Sequence, residues 1–190
     1  MTYQLSISKE EINKLPQYSF NGTVILIESE KDAVSAIRDL KKEPVLGFDS
    51  ETRPSFKKGE SYPVSLLQFA TNTRAYLFRL NKFRIMIDLA DILANPNIVK
   101  AGVGVRDDIN ALQKLHPFIA SSFVELAELA KQKKIENFGL RALAAILLKK
   151  RLSKNSKISN WARQALTPAQ IAYAASDAAV AFEIYHTLDR

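Results

Sequence analysis

An apolar run ends in two carboxylates in the stretch Val45-Leu46-Gly47-Phe48-Asp49-Ser50-Glu51. Alternate side chains of a strand point to the same face and stand about 6.6 Å apart along it, so Asp49 and Glu51 are expected to converge opposite Phe48. Two anions held this close repel each other, and a divalent metal between them is the simplest remedy. Taken alone, however, the segment is more simply a buried strand whose last residues reach solvent.

Length and composition indicate one soluble domain. We expect a single domain over residues 1–190, with a core from about 22 to 190 and a short N-terminal extension over 1–21. Hydrophobic residues make up 47% and charged residues 25%, which is typical of a globular protein. Because we find no membrane-length apolar stretch, no signal-peptide pattern and no cysteine, we expect a cytoplasmic protein without a membrane partner.

The charge balance favours a polyanionic partner. The chain has 27 Lys and Arg against 20 Asp and Glu, a formal net charge of +7, which attracts nucleic acid over long distances. Five cations cluster behind an apolar helical pattern, at Lys149, Lys150, Arg151, Lys154 and Lys157. The negative end of a helix accounts for the first two or three of them. Phosphate contact is the better explanation of the whole run.

The order of the predicted elements indicates an α/β fold. Strands are predicted at 24–27, 45–51, 64–70, 74–78, 98–105 and 122–124. Helices are predicted at about 30–41, 85–94, 106–115, 125–134, 140–149 and 168–188. Because strands mostly precede helices, with one hairpin inserted at 64–78, we predict a mixed sheet with helices on both faces.

Two further acids are expected to face the same region as the strand carboxylates. In the helix after Gly104, Asp108 shares the apolar stripe and Asp107 lies off it, so Asp108 is predicted to point inward. In the last helix, Tyr173 and Asp177 lie one turn apart on one face, among many alanines. Four acids on three elements need a common counter-charge, and oxygen ligands select Mg²⁺ or Mn²⁺ over zinc.

Three motifs, in this order, resemble those of the DEDD superfamily of 3'-5' exonucleases. They are Phe-Asp-Ser-Glu at 48–51, Gly-Val-Gly-Val-x-x-Asp at 102–108 and Tyr-Ala-Ala-Ser-Asp-Ala at 173–178. The resemblance is to the tyrosine subclass, which includes ribonuclease D and the exonuclease domain of the Werner syndrome helicase. The histidine subclass would have a histidine at the position of Ala172. The resemblance implies a ribonuclease H-like fold.

The resemblance also implies a metal-dependent exonuclease that hydrolyses terminal phosphodiester bonds of a nucleic acid with a free 3' end. Asp49 would bridge two divalent cations, Mg²⁺ or Mn²⁺, Glu51 and Asp177 would complete the site of one, and Asp108 would act on the other through water. Tyr173 would orient the attacking water, since a tyrosine pKa of about 10 makes it a poor base. DNA is the favoured substrate. An exoribonuclease of the ribonuclease D type and a catalytically silent nucleic-acid-binding module are the alternatives.

Cations and aromatic residues near these acids are predicted to contact nucleic acid. The stretch 53–62 has the composition of a mobile basic loop beside the carboxylates. Single-strand channels commonly combine cations with aromatic residues, so Phe56, Tyr62 and Trp161 are candidates for stacking on bases, with core packing as the alternative for Trp161. The predicted contacts are Arg53, Lys57, Lys58, Lys154, Lys157 and Trp161.

Overall fold

The computed structural model describes residues 3–83, 86–153 and 158–189. The strands in this part of the chain are β1 (Thr23–Ile27), β2 (Val45–Thr52), β3 (Val64–Ala70), β4 (Arg74–Phe78), β5 (Val99–Gly102) and β6 (Phe123–Glu125). The helices are α1 (Lys9–Lys14), α2 (Glu30–Leu40), α3 (Met86–Leu93), α4 (Val105–Gln113), α5 (Leu126–Gln132), α6 (Leu140–Leu148) and α7 (Pro168–Leu188). None of the described helices is long and apolar enough to cross a membrane.

The strands form one mixed sheet in the order β1-β4-β3-β2-β5-β6. Strand β2 pairs antiparallel with β3 and parallel with β5, whereas β4 pairs antiparallel with β3 and parallel with β1. The predicted hairpin of β3 and β4 is confirmed with its boundaries. Strand β2, which carries the two carboxylates, therefore lies in the interior of the sheet and is held rigidly on both sides.

Helices cover both faces of the sheet, as the sequence predicts. On one face, α2, α3 and α4 bury their apolar sides against large residues that include Phe48, Phe69 and Phe78. On the other face, α5, α6 and α7 pack against small residues that include Ala70 and Ala101. Because alanines take the place of large side chains on this second face, α7 can lie close to the strands.

Helix α7 lies against the backbone of β2 at Gly47. A Cβ atom built on Gly47 would stand 1.9 Å from the carbonyl oxygen of Ala178 and 2.7 Å from the backbone nitrogen of Phe182. Only a glycine fits at this position. The residue before Ala178 is Asp177, so the contact between helix and strand also sets how far Asp177 stands from the carboxyl end of β2.

The largest error among the predicted boundaries is at the end of β5. The strand predicted at 98–105 is limited to Val99–Gly102, because Gly104 adopts a left-handed conformation with φ of 77° and α4 begins at Val105. Asp108 therefore lies in the first turn of α4.

The N-terminal segment is tied to the region that follows α6. The backbone nitrogen of Tyr18 donates to the carbonyl oxygen of Arg151 at 2.9 Å, and Arg151 donates in turn to the carbonyl oxygen of Pro16 at 3.0 Å. The Nε atom of Arg151 also donates to the carbonyl oxygen of Leu15 at 3.0 Å. The side chain of Arg151 therefore has a structural role in anchoring the N-terminal segment. Phosphate contact by the basic run stays a prediction.

Candidate active site

Three carboxylates from two elements meet at the carboxyl end of β2. One oxygen from each of Asp49, Glu51 and Asp177 lies within 4.8 Å of the others. Asp49 and Glu51 are partly exposed, whereas Asp177 is buried with 7% of its surface accessible. The period of the strand points Asp49 and Glu51 toward α7, and the close contact at Gly47 brings Asp177 to meet them.

The carboxylate cluster is electrostatically costly. Burial, followed by the negative charges of Asp177, Glu51 and Asp108, raises the pKa of Asp49 well above its ordinary value. The backbone N–H of Ser50 donates to Oδ1 of Asp49 at 2.9 Å and offsets only part of this effect. An all-oxygen set of donors at this spacing fits a hard divalent cation, which would relieve the repulsion.

Asp108 approaches the cluster from the other face of β2. It is partly buried and its neighbour Asp107 is exposed, which confirms that Asp108 is the inward-facing acid. The hydroxyl of Ser50, which points away from Asp49 along the strand, donates to Oδ1 of Asp108 at 2.5 Å. Burial raises the pKa of Asp108 to about 6. Asp108 is not one of the three acids within 4.8 Å, but its charge reaches Asp49.

A single carboxylate from β6 holds the helix that carries Asp108. Oε2 of Glu125 accepts hydrogen bonds from the backbone nitrogens of Gly104 at 2.8 Å and Val105 at 3.0 Å. Its Oε1 accepts from the backbone nitrogen of Ala127 at 3.1 Å and caps α5. We did not predict this role of Glu125. The signal was present in Gly104, which has no side chain with which to cap its own helix.

Tyr173 lies one turn before Asp177 and faces the cluster. Burial, the negative charges of Asp177 and Glu51, and a hydrogen bond with Asp177 raise the pKa of Tyr173. The phenol is therefore protonated at neutral pH and cannot act as a base there. The role predicted for it, that of a hydroxyl that orients water, stays a prediction.

Trp161 does not contact solvent. Its exposed fraction is 0%, and its ring packs against Tyr173 with centroids 6.0 Å apart and an interplanar angle of 41°. The prediction that Trp161 stacks on bases is wrong, because no base can reach a fully buried ring, and the alternative of core packing holds. Trp161 instead supports the ring of Tyr173 from the protein interior.

The loop after β2 forms an exposed groove of aromatic and basic residues. The guanidinium of Arg53 lies over the ring of Tyr62, 4.6 Å from its centroid, and Phe56 is 84% exposed. Ile158, which is 75% exposed, lines the same groove with Asn160. Lys57 also lines it and Lys58 is exposed beside it. The other two predicted cations, Lys154 and Lys157, lie outside the described residues.

A cavity of about 460 Å³ opens over the carboxylates. It is bounded by the end of β2, the start of α6 and the middle of α7. The polar residues that line it include Asp49, Ser50, Glu51, Arg141, Tyr173 and Asp177. Arg141 was not predicted, because an arginine at the start of an apolar helix carries no local signal that it faces an active site.

A second cavity, of about 220 Å³, shares Tyr173 and Asp177 with the first. Its outer wall contains Gln17 and Ser19 from the N-terminal segment. The segment expected to be a short extension of the core therefore borders the site directly. It is held there by the hydrogen bonds to Arg151 described above.

Without metal, the folded protein should lose stability as pH rises through the acidic range. The pKa of Asp108 is about 6 in the folded state and higher than in the unfolded chain, so its contribution is complete below about pH 4 and lost as pH rises through about 6. Melting temperatures measured in a chelator from pH 4 to 7.5 should fall more for wild type than for Asp108→Asn. Asp107→Asn is the control and should follow wild type. Parallel curves for all three proteins would show that Asp108 titrates normally.

Comparison with known proteins places these residues in context. A family model described as 3'-5' exonuclease matches residues 24–190. The bifunctional 3'-5' exonuclease/ATP-dependent helicase WRN of Mus musculus is 32% identical over 186 residues, which cover 93% of this chain but 13% of that protein. The chain thus spans a small part of this relative's length.

Two solved structures are similar to the chain as a whole. The EXO domain of Aedes aegypti Nibbler matches with a TM-score of 0.82 and 26% identity, over 90% of this chain and 91% of that one. The EXD2 exonuclease domain, soaked in Mn and GMP, matches with a TM-score of 0.51 and 29% identity, over 88% and 90% of the two chains. These likenesses confirm the prediction of a ribonuclease H-like α/β fold.

Proposed function

This chain belongs to the 3'-5' exonuclease family, and from that premise we propose that it hydrolyses the terminal phosphodiester bond at the 3' end of a nucleic acid. The products are nucleoside 5'-monophosphates. The observation that carries the proposal is the group of Asp49, Glu51 and Asp177, whose oxygens lie within 4.8 Å of one another. DNA is the substrate that we favour, and RNA is the alternative.

We infer that the cluster holds two divalent cations, Mg²⁺ or Mn²⁺. Asp49 would hold both, Glu51 and Asp177 would complete the site of one, and Asp108 would act on the other through water. When bound, such cations neutralise the cluster and stabilise the charge that develops on the attacking and leaving oxygens. The raised pKa of Asp49 supports this assignment, since repulsion among the acids is what a cation removes.

The protein's own contribution is to hold the water and the strand in position. The protonated hydroxyl of Tyr173 donates to Asp177 and keeps its oxygen lone pairs available to the attacking water, which it orients without taking its proton. Trp161 packs against the ring and limits its motion. Asp108 is held in position in two ways. Glu125 accepts a hydrogen bond at the start of its helix, and Ser50 donates one to its carboxylate.

The groove after β2 is the surface that we propose for the single strand upstream of the 3' end. Phe56 has an exposed ring on which a base can stack. The cations Arg53, Lys57 and Lys58 would contact the phosphates of the strand. The groove begins where β2 ends, so a strand that leaves the carboxylates can enter it directly.

Replacing Phe56 by Ala should weaken the binding of a single-stranded oligonucleotide by about tenfold or more, because one stacked base contributes about 1–3 kcal/mol. Fluorescence anisotropy with a labelled oligonucleotide measures the change. Ile119→Ala removes an apolar residue that is 86% exposed outside this groove and should leave binding unchanged. Equal affinities for Phe56→Ala and Ile119→Ala would exclude the groove as the path of the strand.

The proposed activity is tested with matched DNA and RNA oligonucleotides, single- and double-stranded and labelled so that 3'-terminal products are resolved. Incubation with Mg²⁺ or Mn²⁺ should release nucleoside 5'-monophosphates one at a time, and a chelator should stop the reaction. A purified, folded protein that binds these oligonucleotides and cleaves none of them would instead be a silent binding module. The relative rates on DNA and RNA decide between the two substrates.

A further inference from the structure

Arg141 is a basic residue on the wall of the cavity over the carboxylates. It is the second residue of α6 and is partly buried. The same cavity wall contains the acids of the cluster and Tyr173. Among the described residues that line this cavity, Arg141 is the one with a positive charge.

The position of the guanidinium is held by the backbone. Nε of Arg141 donates to the carbonyl oxygen of Leu152 at 3.3 Å. The first turn of α6, to which Arg141 belongs, carries no acidic residue. The hydrogen bond of Nε fixes the direction of the two terminal nitrogens of the guanidinium.

The chemistry of the cavity selects the ligand. A planar guanidinium matches two oxygens of a phosphate with two parallel hydrogen bonds, and the volume of about 460 Å³ is in the range of small-molecule sites. The cluster of acids is negative, so it does not itself draw in an anion. Arg141 supplies a positive charge on the wall of the same cavity.

We propose that Arg141 binds a phosphate group of the substrate strand, either that of the scissile bond or the next one upstream. This inference rests on the proposed function. It assigns to α6 a part in holding the 3' end, in addition to the acids on β2, α4 and α7.

Two variants separate charge from packing. Arg141→Gln removes the charge but has an amide nitrogen at the same number of bonds from the backbone as Nε, so it can keep the contact with Leu152. Arg141→Lys keeps a charge at this wall. Arg38→Gln, on the exposed side of α2, removes the same charge elsewhere and is the control. The melting temperature of each variant reports whether packing has changed.

Binding is measured by anisotropy with oligonucleotides that carry an uncharged methylphosphonate at the terminal or at the penultimate linkage. Arg141→Gln should bind the all-phosphate strand about tenfold to a hundredfold more weakly than wild type, as expected for a lost charged hydrogen bond. On one of the two methylphosphonate strands, Arg141→Gln should lose no affinity beyond its loss on the all-phosphate strand. The linkage that is uncharged in that strand is the phosphate that Arg141 binds. Arg141→Lys should retain part of the wild-type difference in affinity between the all-phosphate strand and that methylphosphonate strand. Arg38→Gln should retain the whole difference.

Wild-type affinity for all strands in Arg141→Gln would overturn the assignment, as would an equal loss on all three strands. If Arg141→Gln does not fold, Arg141→Lys decides, because a lysine with no preference between phosphate and methylphosphonate would also overturn it. These binding measurements do not depend on cleavage. A wild-type protein that hydrolyses no strand would therefore contradict the proposed function without deciding the role of Arg141.

Discussion

Asp49→Asn should abolish exonuclease activity and, in the same protein, raise the stability of the metal-free state. Asp49 is the acid on which burial and the charges of three other acids act together to raise the pKa. Removing its charge relieves repulsion when no cation is bound, but it also removes the ligand expected to hold both cations. We expect a loss of rate of at least about a thousandfold, since bound metals supply several kcal/mol of transition-state stabilisation.

The predicted changes in activity and in stability have opposite signs, so general damage to the fold cannot produce both. In a chelator, the melting temperature of Asp49→Asn should exceed that of wild type by about 2 °C or more, the change that about 1 kcal/mol produces in a domain of this size. Release of nucleotides from a 3'-labelled oligonucleotide measures the activity. Asp107→Asn, an exposed acid on α4, should change neither quantity. A variant that remains active, or that is less stable than wild type in chelator, would contradict the role of Asp49.

Gly47→Ala should destabilise the protein by about 1–3 kcal/mol or more and lower the activity as well. The added Cβ would stand 1.9 Å from the carbonyl oxygen of Ala178, and neither backbone can yield without moving α7 away from β2. Because Asp177 directly precedes Ala178, that displacement would also separate Asp177 from Asp49 and Glu51. Chemical denaturation measures the first effect, and the rate of the folded fraction measures the second.

Gly139→Ala is the control for Gly47→Ala. Gly139 has φ of −70°, and a Cβ there would meet no atom within 4 Å, so the same chemical change should cost about 1 kcal/mol at most. Equal stability of the two variants would show that α7 can shift on the sheet without lowering the free energy of unfolding. Full activity in a destabilised Gly47→Ala would show that the position of Asp177 does not depend on this contact.

Local patterns predict much of this fold and of its site. Most elements are where the periodicity puts them, and the choice of Asp108 over Asp107 follows from spacing within one helix. Helical and strand periods depend only on neighbours in the chain, so they can be read without knowledge of the tertiary structure. The three motifs in order then identify which acids belong together.

Contacts between distant segments do not leave such patterns. Trp161 has a side chain suited to base stacking and yet is fully buried, because Leu66 and Leu77, from distant strands, pack with it in one apolar cluster. Arg151 belongs to a basic run but binds the carbonyl oxygen of Leu15, which is 136 residues away. Glu125 caps a helix that begins 20 residues before it. Each of these roles is set by a partner that local spacing does not specify.

The sequence by itself determined the fold class and the family, and it predicted the acids of the candidate site, since these depend on residue types at fixed local intervals. Only the tertiary structure decided how close Asp177 comes to β2, which cations are already bound to the backbone, and that Arg141 faces the same cavity as the carboxylates. The physical reason is that burial and pairing are properties of two surfaces in contact. The close contact between Gly47 and α7 exists only after residues more than a hundred positions apart have packed together.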